Sequence, residues 1–323
     1  MTNTRWMLTL AVCGALALGA AACGDDEGSG GGGSAAQAEE GLSGTIAIDG
    51  SSTVFPFAEA AAELFNEENP GVRITVGQSG TGGGFEKFCA GETDVSNASR
   101  PIDTEEEVPL CQKGGVKFGE VQVANDGIAV VTNKALAVDC LTTDQLKQLW
   151  NKGSKVASLS QLGGSLPDAE LSLYGPGTDS GTFDFFTDTI NGEEGVTRED
   201  YEPSEDDNQL VTGVSGDQGG LGYFGYSYYE GAKDQLNLVG VDAGDGCVKP
   251  STQTIQDGSY TPLSRPLFMY PSSKAMQRPE VKAFMEFTVA NAAQIAKFAK
   301  IVPLTSEQTA EAKDALAKAE SGT

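Results

Sequence analysis

The chain has 323 residues and is strongly acidic, since 46 aspartates and glutamates against 21 lysines and arginines give a formal net charge of −25. A surface of this charge repels a polyanion, which excludes nucleic acid as a partner. The sequence contains no histidine. This absence excludes Ser-His-Asp and Cys-His catalysis and most zinc sites, so we expect no catalytic residues, no metal and no cofactor.

Residues 1–22 are predicted to be a signal peptide. Arg5 precedes an apolar stretch, 6–22, that is too short to span a bilayer comfortably. The segment ending in Cys23 resembles a bacterial lipobox, although Ala20 stands where the motif usually has leucine or a similar residue. We therefore predict lipidation of Cys23, with an ordinary cleaved signal and a spare cysteine as the alternative.

Residues 23–43 are predicted to be a flexible linker, because they are rich in Gly, Ser, Ala and Gln and lack core-forming side chains. About 20 such residues span roughly 25 Å root-mean-square, which suits a domain tethered to a membrane surface. The remaining chain is long enough for two α/β lobes instead of one small core.

Four cysteines remain after Cys13 and Cys23 are set aside, namely Cys89, Cys111, Cys140 and Cys247. An even number in an exported protein indicates two disulfides, and three pairings are possible. We favour Cys89–Cys111, which closes a short local loop, and Cys140–Cys247, which joins the start and the end of one lobe.

Two strand-to-helix turns in the first part of the chain present hydroxyl groups. A strand at 45–49 leads to Ser52 and Thr53, with Pro56 at an early helical position. A second strand, 72–76, leads to Ser79 and a glycine loop, 80–84, before a helix that begins at Phe85. Such turns form anion sites, because the free amides and the helix dipole favour negative charge. The alternative is an ordinary capped helix.

A third strand, 93–98, ends at Ser99-Arg100-Pro101. An arginine between serine and proline at the end of a strand is unusual for a solvated surface charge. We interpret Arg100 as a guanidinium that binds an anion. A structural ion pair with a nearby carboxylate is the alternative.

The segment 121–131 is β-rich and is predicted to cross into a second lobe. There, a capped helix begins at Thr142, and a strand at 171–174 leads into a third Gly/Ser/Thr turn, 177–182, before a helix at Phe183. The last segments follow in order. They are a strand at 263–270 that returns to the first lobe and two helices, 279–299 and 306–319. Alternating strands and helices indicate open α/β sheets, whose ligands bind at the carboxyl ends of strands.

Four motifs in this order resemble those of phosphate-binding proteins, the PstS-type substrate receptors of phosphate ABC importers. They are 50–56 (GSSTVFP), 79–84 (SGTGGG), 97–101 (NASRP) and 179–182 (DSGT). The resemblance implies an α/β periplasmic-binding-protein type II fold with two lobes, each a mixed sheet flanked by helices, and the ligand in the cleft between them. It places lobe I at 44–128 plus 264–323 and lobe II at 129–263.

The resemblance also implies the ligand set. The predicted phosphate-binding residues are Ser52, Thr53, Val54, Ser79, Ser99, Arg100, Ser180, Gly181 and Thr182. The well-known branch of the family has an arginine at the position of Pro176 and an aspartate at that of Ser99. We therefore expect Arg100 to supply the charge from the opposite lobe, and Asp49 or Asp179 to accept the proton of phosphate.

The predicted function is an extracytoplasmic receptor that captures inorganic phosphate and delivers it to the membrane permease of an ABC importer. It is expected to be a monomer held by its lipid anchor on the outer face of the cell membrane. A receptor for another tetrahedral oxyanion, such as sulfate or molybdate, is the alternative. A phosphatase-like enzyme is a third hypothesis, which the absence of an activated nucleophile disfavours.

Overall fold

The computed structural model describes residues 41–164 and 166–321. The predicted signal peptide, Cys23 and linker residues 23–40 lie outside the described residues, so these assignments stay predictions. Within the described part of the chain, no helix is long and apolar enough to cross a membrane.

The first part of the chain alternates strands and helices. Its elements are β1 Gly44–Gly50, α1 Phe55–Glu68, β2 Val72–Val76, α2 Gly80–Cys89, β3 Val95–Ala98, α3 Glu107–Gly114 and β4 Val121–Asn133. In α1, Phe57, Ala61 and Phe65 recur at helical spacing and are all buried, as the sequence predicts.

The second part continues the alternation. Its elements are β5 Cys140–Thr142, α4 Thr143–Trp150, β6 Ser172–Pro176, α5 Gly181–Phe186, β7 Glu202–Ser204, α6 Asp207–Gly216, β8 Gly220–Gly225, α7 Tyr226–Ala232, β9 Leu236–Asp242, β10 Cys247–Val248 and α8 Thr252–Gln256. The predicted cap of α4 is confirmed, because Thr142 and Gln145 form a reciprocal capping box.

The chain then returns to the first lobe. The last elements are β11 Ser264–Pro271, α9 Pro279–Ala290, α10 Ala292–Phe298 and α11 Ser306–Ser321. The prediction of one helix over 279–299 is wrong, because the helix stops at Ala290 and a new one begins at Ala292. Asn291, with φ −108° and ψ 13°, lies between the two helices.

The strands follow the order β2-β1-β3-β11-β4-β8-β6-β7, and β9 pairs with β4, β5 and β10. β2, β1 and β3 are parallel, as are β7, β6 and β8, whereas β11 and β4 run antiparallel to their neighbours. The two parallel groups are therefore linked through two antiparallel strands.

β4 belongs to both lobes. Residues 121–127 pair with β11, and from Ile128 onward the strand pairs with β8 and β9. The two large hydrophobic core clusters also divide between residues 124 and 128 of this strand. One includes Ala124 and Leu267, and the other includes Ile128 and Leu263. The fold is a two-lobed α/β fold joined by β4 and β11; the residue numbers drawn for the lobe boundaries stay predictions.

Both favoured cysteine pairs are present in the structure. Cys89–Cys111 links the end of α2 to α3, and Cys140–Cys247 links β5 to β10. The glycine loop predicted over 80–84 is wrong, because these residues form the first turns of α2. Gly84 has a packing reason to lack a side chain, as a Cβ there would lie 2.5 Å from the Cα of Gly50.

Candidate functional site

The carboxyl ends of β1, β2 and β3 meet at one edge of lobe I, opposite the start of α5 in lobe II. A cavity of about 400 Å³ lies at this edge, and we call it the cleft cavity. Lobe I contributes six hydroxyl side chains and one cation to it, namely Ser51, Ser52, Thr53, Ser79, Thr81, Ser99 and Arg100. Lobe II contributes Asp184, Phe185, Asp188 and Glu194, and β11 contributes Arg265. Hydroxyls and guanidinium groups from several elements thus converge on one space.

Ser79 occupies the N-cap position of α2, without a capping hydrogen bond from its side chain, and is held by Asp49 from the end of β1. Asp49 Oδ1 accepts hydrogen bonds from the Ser79 amide at 3.0 Å and from its hydroxyl at 2.6 Å, while Lys87 Nζ lies 2.6 Å from Oδ2. Burial raises the pKa of Asp49, but the hydrogen bonds from Lys87 and Ser79 outweigh it and leave the pKa below its usual value. Asp49 therefore orients Ser79 and stays ionised.

Arg100 borders the cleft cavity and is also paired. Its Nη1 and Nη2 each donate to a carboxylate oxygen of Glu107 at 2.8 Å. The hydrogen bond to Glu107, together with the negative charge of that carboxylate, raises the pKa of Arg100 despite partial burial. The ion pair with a nearby carboxylate is therefore present, and Arg100 also borders the cavity. Binding of an anion by Arg100 stays a prediction.

The lobe II turn meets lobe I through its backbone. Ser180 caps α5, accepting a hydrogen bond from the Thr182 amide at 3.2 Å. The Gly181 carbonyl accepts one from the Thr53 hydroxyl at 3.1 Å. A Cβ on Gly181 would lie 2.4 Å from the Thr53 nitrogen, so the contact requires glycine. The lobes touch directly at this point.

The nine predicted ligand residues do not all line one cavity. Ser52, Thr53, Ser79, Ser99 and Arg100 line the cleft cavity. Ser180, Gly181 and Thr182 instead line a neighbouring space of about 310 Å³, which Ser52 and Thr53 also border. Val54 is fully buried and lines neither. Binding of phosphate by these nine residues stays a prediction.

Arg265 is the principal residue that the sequence analysis missed. Its Nη2 donates to the Thr53 hydroxyl at 2.6 Å and to the Gly181 carbonyl at 3.2 Å, and its Nε donates to Asp126 at 3.3 Å. Its guanidinium carbon lies 3.7 Å from the centre of the Phe185 ring, a cation–π contact. Arg265 therefore adds a second guanidinium to the cleft cavity, and the role expected of Arg100 stays a prediction.

A signal for Arg265 is present in the sequence. The tripeptide Ser-Arg-Pro occurs at 99–101 and again at 264–266. The first copy follows the end of β3 and the second begins β11, and these two strands are antiparallel neighbours. Both arginines consequently reach the cleft cavity.

Three carboxylates also line the cleft cavity. Asp184 accepts a hydrogen bond from the Ser52 hydroxyl at 3.0 Å, across the lobes. Burial raises its pKa despite that bond. Burial, followed by the charges of Asp184 and Asp188, raises the pKa of Glu194. By contrast Asp179 borders only the neighbouring space. Asp184 thus joins Asp49, which accepts from the Ser79 hydroxyl at 2.6 Å, as a carboxylate next to the site's hydroxyls. The assignment of Asp49 or Asp179 as acceptor of the phosphate proton stays a prediction.

Comparisons with known proteins show the family of this chain. A family model described as a PBP superfamily domain matches residues 35–292. The chain is 45% identical over 265 residues to protein SphX of Synechococcus elongatus, covering 81% of this chain and 78% of that protein. It is 39% identical over 276 residues to the phosphate-binding protein PstS of Staphylococcus saprophyticus, covering 84% of each. The chain belongs to the PstS-type family of the PBP superfamily.

Solved structures extend the likeness of this PstS-type chain to its three-dimensional form. A possible phosphate-binding protein from Planctomyces limnophilus is 43% identical with a TM-score of 0.81, covering 86% of this chain and 99% of that one. A putative phosphate ABC transporter substrate-binding protein from Clostridium perfringens, with bound phosphate, is 27% identical with a TM-score of 0.56. It covers 81% of this chain and 100% of the other.

Proposed function

We propose that this chain is an extracytoplasmic receptor that captures inorganic phosphate and delivers it to the permease of an ABC importer. The observation that carries the proposal is the cleft cavity, where lobe I hydroxyls and two guanidinium groups converge between two lobes joined by two strands. Hydroxyls and guanidinium groups together bind tetrahedral oxyanions well. The relatives include proteins named for phosphate binding, which supports phosphate among such anions.

The cavity can bind an anion inside an acidic protein because its donors act at short range. Ser52, Thr53, Ser79 and Ser99 lie at the carboxyl ends of parallel strands, beside the starts of α1 and α2. Local dipoles and hydrogen bonds act within a few ångströms, whereas distant surface carboxylates are screened beyond about 10 Å. The net charge of −25 therefore lowers the association rate more than it weakens the bound state.

The Asp184 carboxylate favours the binding of phosphate over that of sulfate. An ionised carboxylate only accepts hydrogen bonds, so it is compatible with an oxyanion that still carries a proton. Phosphate carries one near neutral pH, and sulfate does not. Placed against the Asp184 carboxylate, a sulfate oxygen would be repelled without a compensating hydrogen bond.

Isothermal titration calorimetry with phosphate, sulfate and molybdate tests the proposal at fixed ionic strength. We expect binding of phosphate and at least about tenfold weaker binding of sulfate, the size of one lost hydrogen bond to a charged group. Absent phosphate binding, or tighter binding of sulfate or molybdate, would favour the alternative, a receptor for another oxyanion.

A phosphatase activity is a weaker candidate. The sequence offers no histidine to activate a nucleophile. Within residues 41–164 and 166–321, no group of three or more Asp, Glu or Cys side chains is placed to hold a metal. Hydrolysis of p-nitrophenyl phosphate by the purified protein, lost in an Arg265 variant, would revive this hypothesis.

The membrane attachment rests on the sequence motif at Cys23. Detergent-phase partitioning of the expressed full chain, with Cys23→Ser as the control, tests the lipid anchor on the outer face of the membrane. We expect the wild-type protein in the detergent phase and the variant in the aqueous phase. Light scattering during gel filtration tests the proposed monomer.

A further inference from the structure

Arg265 occupies a special place in the fold. It lies directly opposite Asp126 in the register of β11 and β4, the two strands that connect the lobes. One residue later, at Gly127, the pairing of β4 with β11 ends, and from Ile128 the strand pairs with β8. The guanidinium therefore extends from the junction between the lobes, while its partner Asp126 holds its Nε at 3.3 Å.

From this junction Arg265 contacts both lobes at once. Its Nη2 donates to the Thr53 hydroxyl in lobe I and to the Gly181 carbonyl in lobe II. Phe185 of lobe II supports the flat face of the guanidinium. Among the described residues Nη1 has no hydrogen-bond partner, and Arg265 lines the cleft cavity. One donor group thus remains available to a ligand.

Arg100, the other cation of the cavity, is less suited to bind the anion. Both of its terminal nitrogens already donate to Glu107 at 2.8 Å. Its side chain is 48% exposed, against 16% for Arg265. Water weakens a charge–charge interaction strongly, so the buried guanidinium attracts an anion in the cavity more effectively.

We infer that Arg265 is the principal positive charge that binds the oxyanion, and that it couples this binding to closure of the two lobes. The inference rests on the proposed function and specifies which residue of the site carries it. An anion bound to Nη1 orients the same guanidinium that bridges Thr53 and Gly181. The bound ligand therefore stabilises the arrangement in which the lobes touch.

The test uses paired variants, because removing Arg265 alone leaves Asp126 as a buried unpaired charge and threatens folding. The double variant Asp126→Asn/Arg265→Gln removes the guanidinium and keeps two neutral hydrogen-bonding side chains. Asp126→Asn alone is the matched control that keeps Arg265. Arg265→Lys keeps the charge without the branched donor geometry. A second pair, Glu107→Gln/Arg100→Gln, removes the other cation in the same manner.

Phosphate affinity is measured by calorimetry, and lobe closure by the phosphate-induced change in radius of gyration in small-angle X-ray scattering. We expect the Asp126→Asn/Arg265→Gln protein to fold, to bind phosphate at least about 100-fold more weakly than Asp126→Asn, and to lose the change in radius. Arg265→Lys should recover less than about a tenth of the phosphate affinity that is lost when the guanidinium is removed. The Glu107→Gln/Arg100→Gln protein should bind phosphate about tenfold more weakly or less.

Two results would overturn the inference. One is phosphate affinity of the Arg265 double variant within about threefold of the Asp126→Asn control. The other is a larger loss in the Arg100 pair than in the Arg265 pair. If wild-type protein itself fails to bind phosphate, the proposed function fails first, and the same comparison is made with the oxyanion that does bind.

Discussion

Gly181 of lobe II and Thr53 of lobe I are in direct contact, and their backbones approach closely. The Thr53 hydroxyl donates to the Gly181 carbonyl at 3.1 Å, and a methyl group on residue 181 would lie 2.4 Å from the Thr53 nitrogen. Two further hydrogen bonds cross the cleft, from Ser52 to Asp184 at 3.0 Å and from Gln78 to the Asp179 carbonyl at 3.3 Å. The structure is therefore a closed arrangement of the lobes.

Because of this contact, we expect Gly181→Ala to hinder closure of the two lobes. The added methyl group would lie 2.4 Å from the backbone nitrogen of Thr53, which cannot move aside as a flexible side chain does. We expect phosphate affinity to fall by at least about tenfold, with little change in the melting temperature of the free protein. Gly216→Ala is the control, because a Cβ there has open space. Equal affinities of the two variants would contradict the prediction.

Asp184→Asn should alter the choice of anion. The amide keeps the shape of the side chain but donates hydrogen bonds, so it no longer repels a fully ionised oxyanion. We expect sulfate affinity to rise about tenfold or more and phosphate affinity to fall. Asp188→Asn removes the same charge from the same cavity without breaking a hydrogen bond to Ser52. Calorimetry with both anions would contradict the prediction if the two variants shifted selectivity equally.

Asp207 should make stability depend on pH. Burial raises its pKa to about 6, and its Oδ1 is buried without a hydrogen-bond partner among the described residues. A raised carboxylate pKa means that the folded state retains the proton more strongly than the unfolded state. This contribution to stability is complete below about pH 4 and is lost as pH rises through about 6.

Asp207→Asn should remove the loss of stability that occurs as pH rises through about 6. Its free energy of unfolding should match that of the wild type at about pH 4 and exceed it by about 3 kcal/mol above about pH 6.5. Urea unfolding across this pH range measures the difference. Asp144→Asn is the control, because Asp144 also lies in the first turn of a helix but is exposed. A constant difference between Asp207→Asn and wild type at all pH values would refute the assignment.

Arg198 should stabilise lobe II without affecting ligand binding. Its side chain is buried, and Nη1 donates to the carbonyls of Leu149 at 2.9 Å and Val156 at 3.0 Å. Arg198→Met leaves both carbonyls without that donor, so we expect a loss of about 3 kcal/mol in unfolding free energy. Arg73→Met, at an exposed position, should change it by less than about 0.5 kcal/mol. Chemical unfolding and phosphate titration together check the pair, and a changed affinity in folded Arg198→Met would contradict the prediction.

Local patterns in the sequence were sufficient for much of the fold. Apolar periodicity predicted α1, and the side chains of Thr142 and Gln145 predicted the start of α4, because both signals act within a few residues. The glycines within 80–84 led to the prediction of a loop, whereas these residues are helical. Their low intrinsic preference for helix was outweighed by close packing, since Gly84 lies against Gly50.

The sequence by itself determined the family, the α/β class and the turns that carry Ser52, Ser79, Ser99 and Arg100. It did so because strand-to-helix turns are encoded by neighbouring residues. Only the tertiary structure decided which charged groups share the cleft cavity. Arg265 is 212 residues from Thr53 and 84 from Gly181 along the chain, and the pairing of β4 with β11 brings them together. The structure thus placed Arg265 and Asp184 at the cleft cavity, because their contacts exist only when two lobes and two connecting strands are in place.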